Sequence, residues 1–183
     1  DPPKVDVLVL GMGPDGHTAS LFEGHPLVEE AGCWVAPISD SPKPPPCRIT
    51  LTLPCLNASR LALFVVTGGS KAPNVRRAFS PEPGVPAGMV LATQRTHWLL
   101  DAPAAAELPA RAAKQAIAAN PLPTLMLNAA AAGAVATAAA AGRGLGARTY
   151  EVFEEGDSKL GETTAAMLLS AAREAIAARG KFV

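Results

Sequence analysis

One stretch, Val5-Asp-Val-Leu-Val-Leu10 followed by Gly11-Met-Gly-Pro-Asp-Gly-His17, constrains this chain more than any other. The first six residues are a β-branched, apolar run of strand length with one polar interruption at Asp6, the pattern of a buried strand. A glycine-rich turn ends it abruptly. Gly11, Gly13 and Gly16 allow a tight turn and let the backbone approach a ligand with no Cβ in the way. Thr18-Ala-Ser-Leu-Phe22 is expected to open a helix whose free amides point back at the turn, a place suited to an anion or a developing oxyanion. Asp15 and His17 stand on this turn at the carboxyl end of a strand, where open α/β sheets hold ligands.

The spacing Gly11-x-Gly13-x-x-Gly16 also fits the dinucleotide fingerprint. Asp15 would then set a carboxylate against a pyrophosphate. Glu29 and Glu30 come too early for the fingerprint's acidic residue and do not end an apolar strand. Nucleotide binding is the weaker reading.

Further along, the strand-then-glycine pattern repeats. Leu61-Ala-Leu-Phe-Val-Val66 is a near-continuous apolar strand, followed by Thr67-Gly-Gly-Ser-Lys71 and a helix from Lys71 to about Phe79. A lysine at such a turn can meet an anion held by loop amides as a point charge. Arg48-Ile-Thr-Leu-Thr-Leu53 alternates as a strand, with Leu51 and Leu53 on the face of Ile49, and Pro54–Arg60 reads as a short helix or turn. Val90–Thr93 and Thr96–Leu100 are candidate strands. His97 alternates with apolar neighbours and reads as a structural histidine. Asp101 caps a helix expected to run to about Asn120. Residues 128–146 are nearly all Ala and Gly, with Arg143 the only charge, and read as a linker or a loosely held helix over Ala129–Ala141. Thr149–Phe153 suggests a strand. Ser158–Arg179 is an amphipathic helix with Leu160, Thr164, Leu168, Ala172 and Ile176 on one face, stopped by Gly180 before the strand-like Lys181-Phe-Val183. These strand–turn–helix repeats imply an α/β fold with a largely parallel sheet.

Composition narrows the partners. Net charge is zero, so no broad field draws the chain to nucleic acid or an anionic membrane, and any charge recognition must be local. Cys33, Cys47 and Cys55 lack Cys-x-x-Cys spacing, which indicates neither zinc nor a disulfide framework and fits reduced thiols in a cytosol-like compartment, with an organelle as the alternative. Asp15 and His17 alone supply too few ligands for a metal, and no cofactor is expected.

With Asp15 and His17 included, Gly11-Met-Gly-Pro-Asp-Gly-His-Thr-Ala-Ser-Leu-Phe22 resembles the signature of the 6-phosphogluconolactonases and, more loosely, the related glucosamine-6-phosphate deaminases. The resemblance continues through Ser41-Pro-Lys-Pro-Pro-Pro-Cys-Arg-Ile-Thr-Leu-Thr52, then Phe64-Val-Val-Thr-Gly-Gly-Ser-Lys-Ala72, and ends at His97-Trp-Leu-Leu-Asp101. One departure is Glu23, where the family usually has Pro. The resemblance implies a Rossmann-like, mostly parallel sheet of the NagB/RpiA/CoA-transferase type, here incomplete and with an Ala-rich helical tail.

It also implies hydrolysis of 6-phosphogluconolactone in the pentose phosphate pathway. His17 would be the base that activates water, and its reference pKa near 6.5 suits the role. Asp15 would orient it or bind a sugar hydroxyl, and amides around Gly13 and Gly16 would support the tetrahedral intermediate. Lys43, Arg48 and Lys71 would grip the 6-phosphate, although Lys43 read alone is a solvated surface lysine and Arg48 equally suits a carboxylate at the strand edge. A deaminase-like isomerase and a non-catalytic fragment that binds sugar phosphates are the alternatives.

The tail resembles the opening of a lactonase, a long Ala-rich helix and then Gly and an apolar strand. The expected organisation is therefore 1–120 as the later half of a lactonase-like domain, 121–148 as a linker and 149–183 as the start of another. A tandem fusion, a permuted arrangement or an assembled fragment would each give this order, and the full-length protein is expected to carry a second lactonase or pathway-enzyme domain.

Overall fold

The apolar runs after Val5, Leu61 and Thr96 become three neighbouring strands of one sheet in a computed structural model, which describes residues 1–108, 135–138, 147–153 and 159–183. Along the chain come strand β1 (Val7–Leu10), strands β2 (Val35–Ile38) and β3 (Arg48–Leu51), helix α1 (Leu53–Asn57), strand β4 (Leu61–Val66), helices α2 (Ala72–Ala78) and α3 (Pro86–Met89), strand β5 (Arg95–Asp101), helix α4 (Ala102–Ala105), strands β6 (Val135–Ala138) and β7 (Ala147–Phe153), and helix α5 (Lys159–Arg179). The main sheet runs β1-β4-β5-β7-β6. Its first four strands are parallel and β6 is antiparallel to β7, while β2 and β3 make a separate antiparallel pair. This is the mostly parallel α/β sheet that the sequence implies.

Register places the site. Leu10 lies opposite Phe64, and Val66 opposite Leu100. The turns after β1 and β4 and the start of α4 therefore leave the same carboxyl edge of the sheet. One face of β4 and β5 carries Phe64, Val66, Trp98 and Leu100 into a core with Val75, Val85, Val90 and Tyr150. Phe64 stacks on Trp98 at 4.1 Å, and Phe79 meets Trp98 and Tyr150 edge-on at 5.3 and 5.1 Å. Burial of each large ring contributes about 2–3 kcal/mol. The sheet under the site is thus rigid.

Helix α5 lies beside β5, and Ala175 is its buried residue, whereas Ile176, expected on the inward face, is 53% exposed. Beyond the helix the chain returns to β1. The buried Asp6 carboxylate accepts hydrogen bonds from Arg179 and from the Val183 N–H (2.7 Å), and the Asp6 N–H donates to the Val183 carbonyl (2.6 Å). Burial raises the Asp6 pKa, but the Val183 amide and the Arg179 guanidinium outweigh it and leave the group below its usual range. The polar residue just ahead of β1 is the anchor for Arg179 and Val183.

Other expectations are revised. Val90–Thr93 buries Val90 and Ala92 but is not a strand. It is held by side chains instead, with the Leu91 N–H donating to Asn57 and the Ala92 N–H to Thr96. Thr50, not Ile49, is the buried side of β3, and Ile49 is 77% exposed. Val135–Ala138, within the tract expected as linker or helix, is strand β6. With no large apolar stripe to dock a helix, backbone pairing to the edge of β7 decides its conformation. Asp101 caps α4 through the Ala104 N–H (2.8 Å) as expected, but α4 ends at Ala105, and the rest of the helix expected to Asn120 lies outside the described residues apart from a turn through Leu108. His97 is buried in the sheet. Burial, with the charge of Arg95, lowers its pKa to about 4. Among the described residues no helix is long and apolar enough to cross a membrane.

Candidate active site

The turn after β1 is built on two of its three glycines. Gly16 adopts φ 81°, and a Cβ there would meet Val85 Cγ1 at 2.6 Å, so only glycine fits without strain or displacement. A Cβ on Gly13 would meet His17 Cε1 at 2.1 Å, so the imidazole lies directly over this residue. Gly11 is different: a Cβ there would meet nothing within 4 Å. The Gly13 N–H donates to the His17 carbonyl (3.0 Å) and the Gly16 N–H to the Gly13 carbonyl (2.9 Å). These two N–H groups close the turn on itself.

Thr18-Ala-Ser-Leu-Phe22 does not open a helix. Thr18 Oγ1 donates back to the Gly11 carbonyl (2.9 Å), the Ser20 N–H donates to Thr50 Oγ1 (3.0 Å), and Ala19 takes φ 50°. Leu21 and Phe22 are drawn into the core. A short run gains little from helix formation, and burial of two large apolar side chains outweighs it, even with a non-glycine residue in the left-handed region.

Asp15, His17 and Lys43 converge on this turn. Asp15 Oδ1 lies 2.5 Å from His17 Nδ1 and 2.9 Å from Lys43 Nζ. Partial burial would raise the Asp15 pKa, but the hydrogen bonds from His17 and Lys43 hold it at about 2. A carboxylate ionised at neutral pH can only accept, so the His17 Nδ1 position carries the proton. In the neutral imidazole Nε2 then keeps its lone pair, the arrangement a general base needs. Phe22 supports the ring from 4.7 Å. His17 retains 19% side-chain exposure, enough for water to reach it.

The remaining predicted residues lie apart from this cluster. Arg48 gives Nε to the Pro45 carbonyl (2.8 Å) and Nη2 to the carbonyls of Lys43 and Pro44 (both 2.7 Å), with its guanidinium 5.7 Å from the Phe22 ring centroid. It clasps the proline-rich loop that presents Lys43. Lys71 ends a short 3-10 turn, Gly69–Lys71, at the carboxyl end of β4, the strand beside β1. Among the described residues no hydrogen bond or ion pair joins its side chain to Asp15, His17 or Lys43. Asp101, read from sequence only as a helix cap, also accepts from the Gly68 N–H (2.9 and 3.0 Å) and so fixes the turn that carries Lys71. Asn74, missed from sequence, donates from Nδ2 to the Pro14 carbonyl (2.6 Å). A polar, helix-averse residue in the first turn of α2, between Pro73 and Val75, was the available signal. Among the described residues no three His, Cys, Asp or Glu side chains gather as a metal site.

Similarity to known proteins falls on the part of the chain that carries this turn. Residues 1–98 match the family model described as glucosamine-6-phosphate isomerases/6-phosphogluconolactonase. The rat 6-phosphogluconolactonase is 54% identical over 105 residues, which is 56% of this chain and 41% of that protein. A chloroplastic 6-phosphogluconolactonase of Arabidopsis thaliana is 51% identical over 107 residues, 58% of this chain and 33% of that one. The chain thus spans well under half the length of these relatives. Among solved structures, the devB protein superposes with TM-score 0.53 at 32% identity, over 59% of this chain and 46% of that one. The 6-phosphogluconolactonase of Leishmania guyanensis gives 0.51 at 28% identity, over 59% and 43%.

Proposed function

Because the chain belongs to the glucosamine-6-phosphate isomerase/6-phosphogluconolactonase family, we propose that it hydrolyses 6-phosphogluconolactone to 6-phosphogluconate, the lactonase step of the pentose phosphate pathway. The observation that carries this reading is the Asp15–His17–Lys43 cluster on the turn after β1. His17 Nε2 takes a proton from water as the oxygen attacks the lactone carbonyl. The tetrahedral intermediate then collapses with cleavage of the ring C–O bond, and the imidazolium returns its proton to the departing ring oxygen. Asp15 fixes the tautomer and stabilises the imidazolium. Lys43, beside Asp15, replaces the committed Gly13 and Gly16 amides as a source of positive charge for the oxyanion or the phosphate.

Lys71, on the neighbouring turn, meets the 6-phosphate. Lys71→Ala is expected to raise KM roughly tenfold with kcat within about twofold, since a phosphate remote from the carbonyl is bound alike in ground and transition states. Initial rates over a range of lactone concentrations check this.

Glu23 argues against the deaminase-like alternative. That chemistry needs further acidic groups on the sugar, and Glu23, the one extra acid near the loop, is paired with Arg77. Assay of the purified chain on both substrates tests the proposal: lactone hydrolysis above the spontaneous rate, with no ammonia from glucosamine 6-phosphate, is the expected outcome. Ammonia release, or no hydrolysis, opposes it. Coverage of 41% of the rat enzyme gives the binding-only reading its weight.

We place the reaction in the cytosol, with an organelle as the alternative since some relatives are named chloroplastic. In the domain reading, 1–120 is the later half of a lactonase-like domain and 149–183 resembles the opening of another, but β7 pairs with β5 and β6 pairs with β7, so the tract 121–148 is not a bare linker between separate sheets.

A further inference from the structure

We infer that Glu23, Arg77 and Asn74 form a brace that positions the Asp15–His17 pair from outside it. Arg77 Nη2 and Nη1 donate to the two carboxylate oxygens of Glu23 at 2.5 and 3.0 Å, a bidentate pair. The same Nη1 donates to Asn74 Oδ1 at 3.0 Å, and Asn74 Nδ2 donates to the Pro14 carbonyl at 2.6 Å. The chain of bonds begins one residue after Phe22, which packs on the His17 ring, and ends one residue before Asp15. Both ends of the catalytic loop are thereby tied to one face of α2, where Asn74 and Arg77 are one turn apart.

The polarity of the bonds matters as much as their presence. A guanidinium has donors only, so Arg77 compels Asn74 to present its oxygen to it and its NH2 group to Pro14. Gly84 walls the brace: a Cβ there would stand 3.0 Å from Arg77 Nη2. Glu23 and Arg77 are each nearly half exposed, and an exposed ion pair contributes little to stability. Its consequence is orientation. Glu23 stands where the lactonase pattern usually has Pro, so the shared motif does not supply this end of the brace.

The kinetic part of this inference rests on the proposed hydrolysis, whereas its structural part does not. In the full chain, Asn74→Ala is expected to lower kcat about tenfold with KM within about twofold, to leave Tm within about 2 °C, and to speed amide exchange at Gly16, whose N–H closes the turn. The charge swap E23R/R77E restores the ion pair but turns residue 77 into an acceptor, which reverses the Asn74 amide. It is expected to keep the wild-type Tm and the low kcat. A swap with wild-type kcat, or Asn74→Ala with wild-type kcat and wild-type Gly16 exchange, overturns the brace. Should the chain hydrolyse no lactone, the functional reading falls and Gly16 exchange decides alone: faster exchange in Asn74→Ala upholds the brace, and unchanged exchange removes it. If Asn74→Ala does not fold, Arg77→Lys serves, since lysine keeps the charge but cannot bond both Glu23 oxygens and Asn74 together.

Discussion

His17→Ala is expected to reduce lactone hydrolysis to the spontaneous rate while the fold survives. A positioned general base typically contributes about 10²–10⁴-fold, and nothing near His17 can replace it. Asp15, even without the His17 hydrogen bond that lowers its pKa, is a carboxylate and a far weaker base than an imidazole, and Lys43 is a cation bound to it. The substitution removes a partly exposed ring lying over Gly13, so it opens no core cavity and stability changes little. Asp15→Asn tests the same geometry from the other side. An amide can donate to Nδ1 as well as accept from it, which permits the tautomer with its proton on Nε2, so kcat is expected to fall steeply although the side chain is nearly isosteric. Continuous titration of the acid released, at a pH where spontaneous opening is slow, reads both. Full turnover in His17→Ala would remove the base from the account.

Asp6→Ala carries the largest expected effect on stability. The carboxylate is 3% exposed and accepts from Arg179 and the Val183 N–H, with Arg60 Nε 3.8 Å away. Removal of one partner of a buried pair typically costs about 3–5 kcal/mol. Because Arg179 and Arg60 keep some solvent contact, the lower end, about 3 kcal/mol, is the expectation. For a chain of this size that corresponds to a Tm roughly 6–12 °C lower. Amide protection should be lost first near the end of α5 and at Asp6. The pH dependence has a definite sign. The folded pKa of Asp6 is lowered, so on acidification the unfolded state binds its proton first. The contribution is complete above the ordinary carboxylate value of about 3.9 and fades as pH falls through the lower folded value. Urea melts of both proteins should therefore converge in acid. A constant difference across that range would assign the loss to packing.

Legibility in the sequence followed the range of the interactions. β1, β4 and β5 could be read because each is an apolar run of strand length that stops at a turn; β4 and β5 are buried as that pattern requires, whereas β1 is only partly buried, with Val9 53% exposed. Asp15 and His17 could be read because the turn's glycines, the acid and the imidazole are neighbours in sequence. What failed depended on partners far along the chain. Thr18–Phe22 had an acceptable local pattern for a helix, but Gly11 and Thr50 supply its hydrogen bonds and the core takes Leu21 and Phe22. Arg48, linked to the phosphate by resemblance and equally suited to a carboxylate, is engaged nearer by, with carbonyls three to five residues away in the proline-rich loop. Asp6 looked like a blemish in a strand until Arg179 and Val183 returned to it. Asn74 could not be paired with Pro14 by any local rule.

The central claim, that the turn after β1 binds and hydrolyses a phosphorylated sugar lactone, is tested most directly by titrating the ¹⁵N-labelled chain with 6-phosphogluconate. The account predicts one saturable process that shifts the resonances of Gly13, Asp15, His17 and Lys43 together with Lys71 on the neighbouring turn. Saturable shifts that spare His17, or no shifts in a chain that also leaves the lactone unhydrolysed, would contradict it.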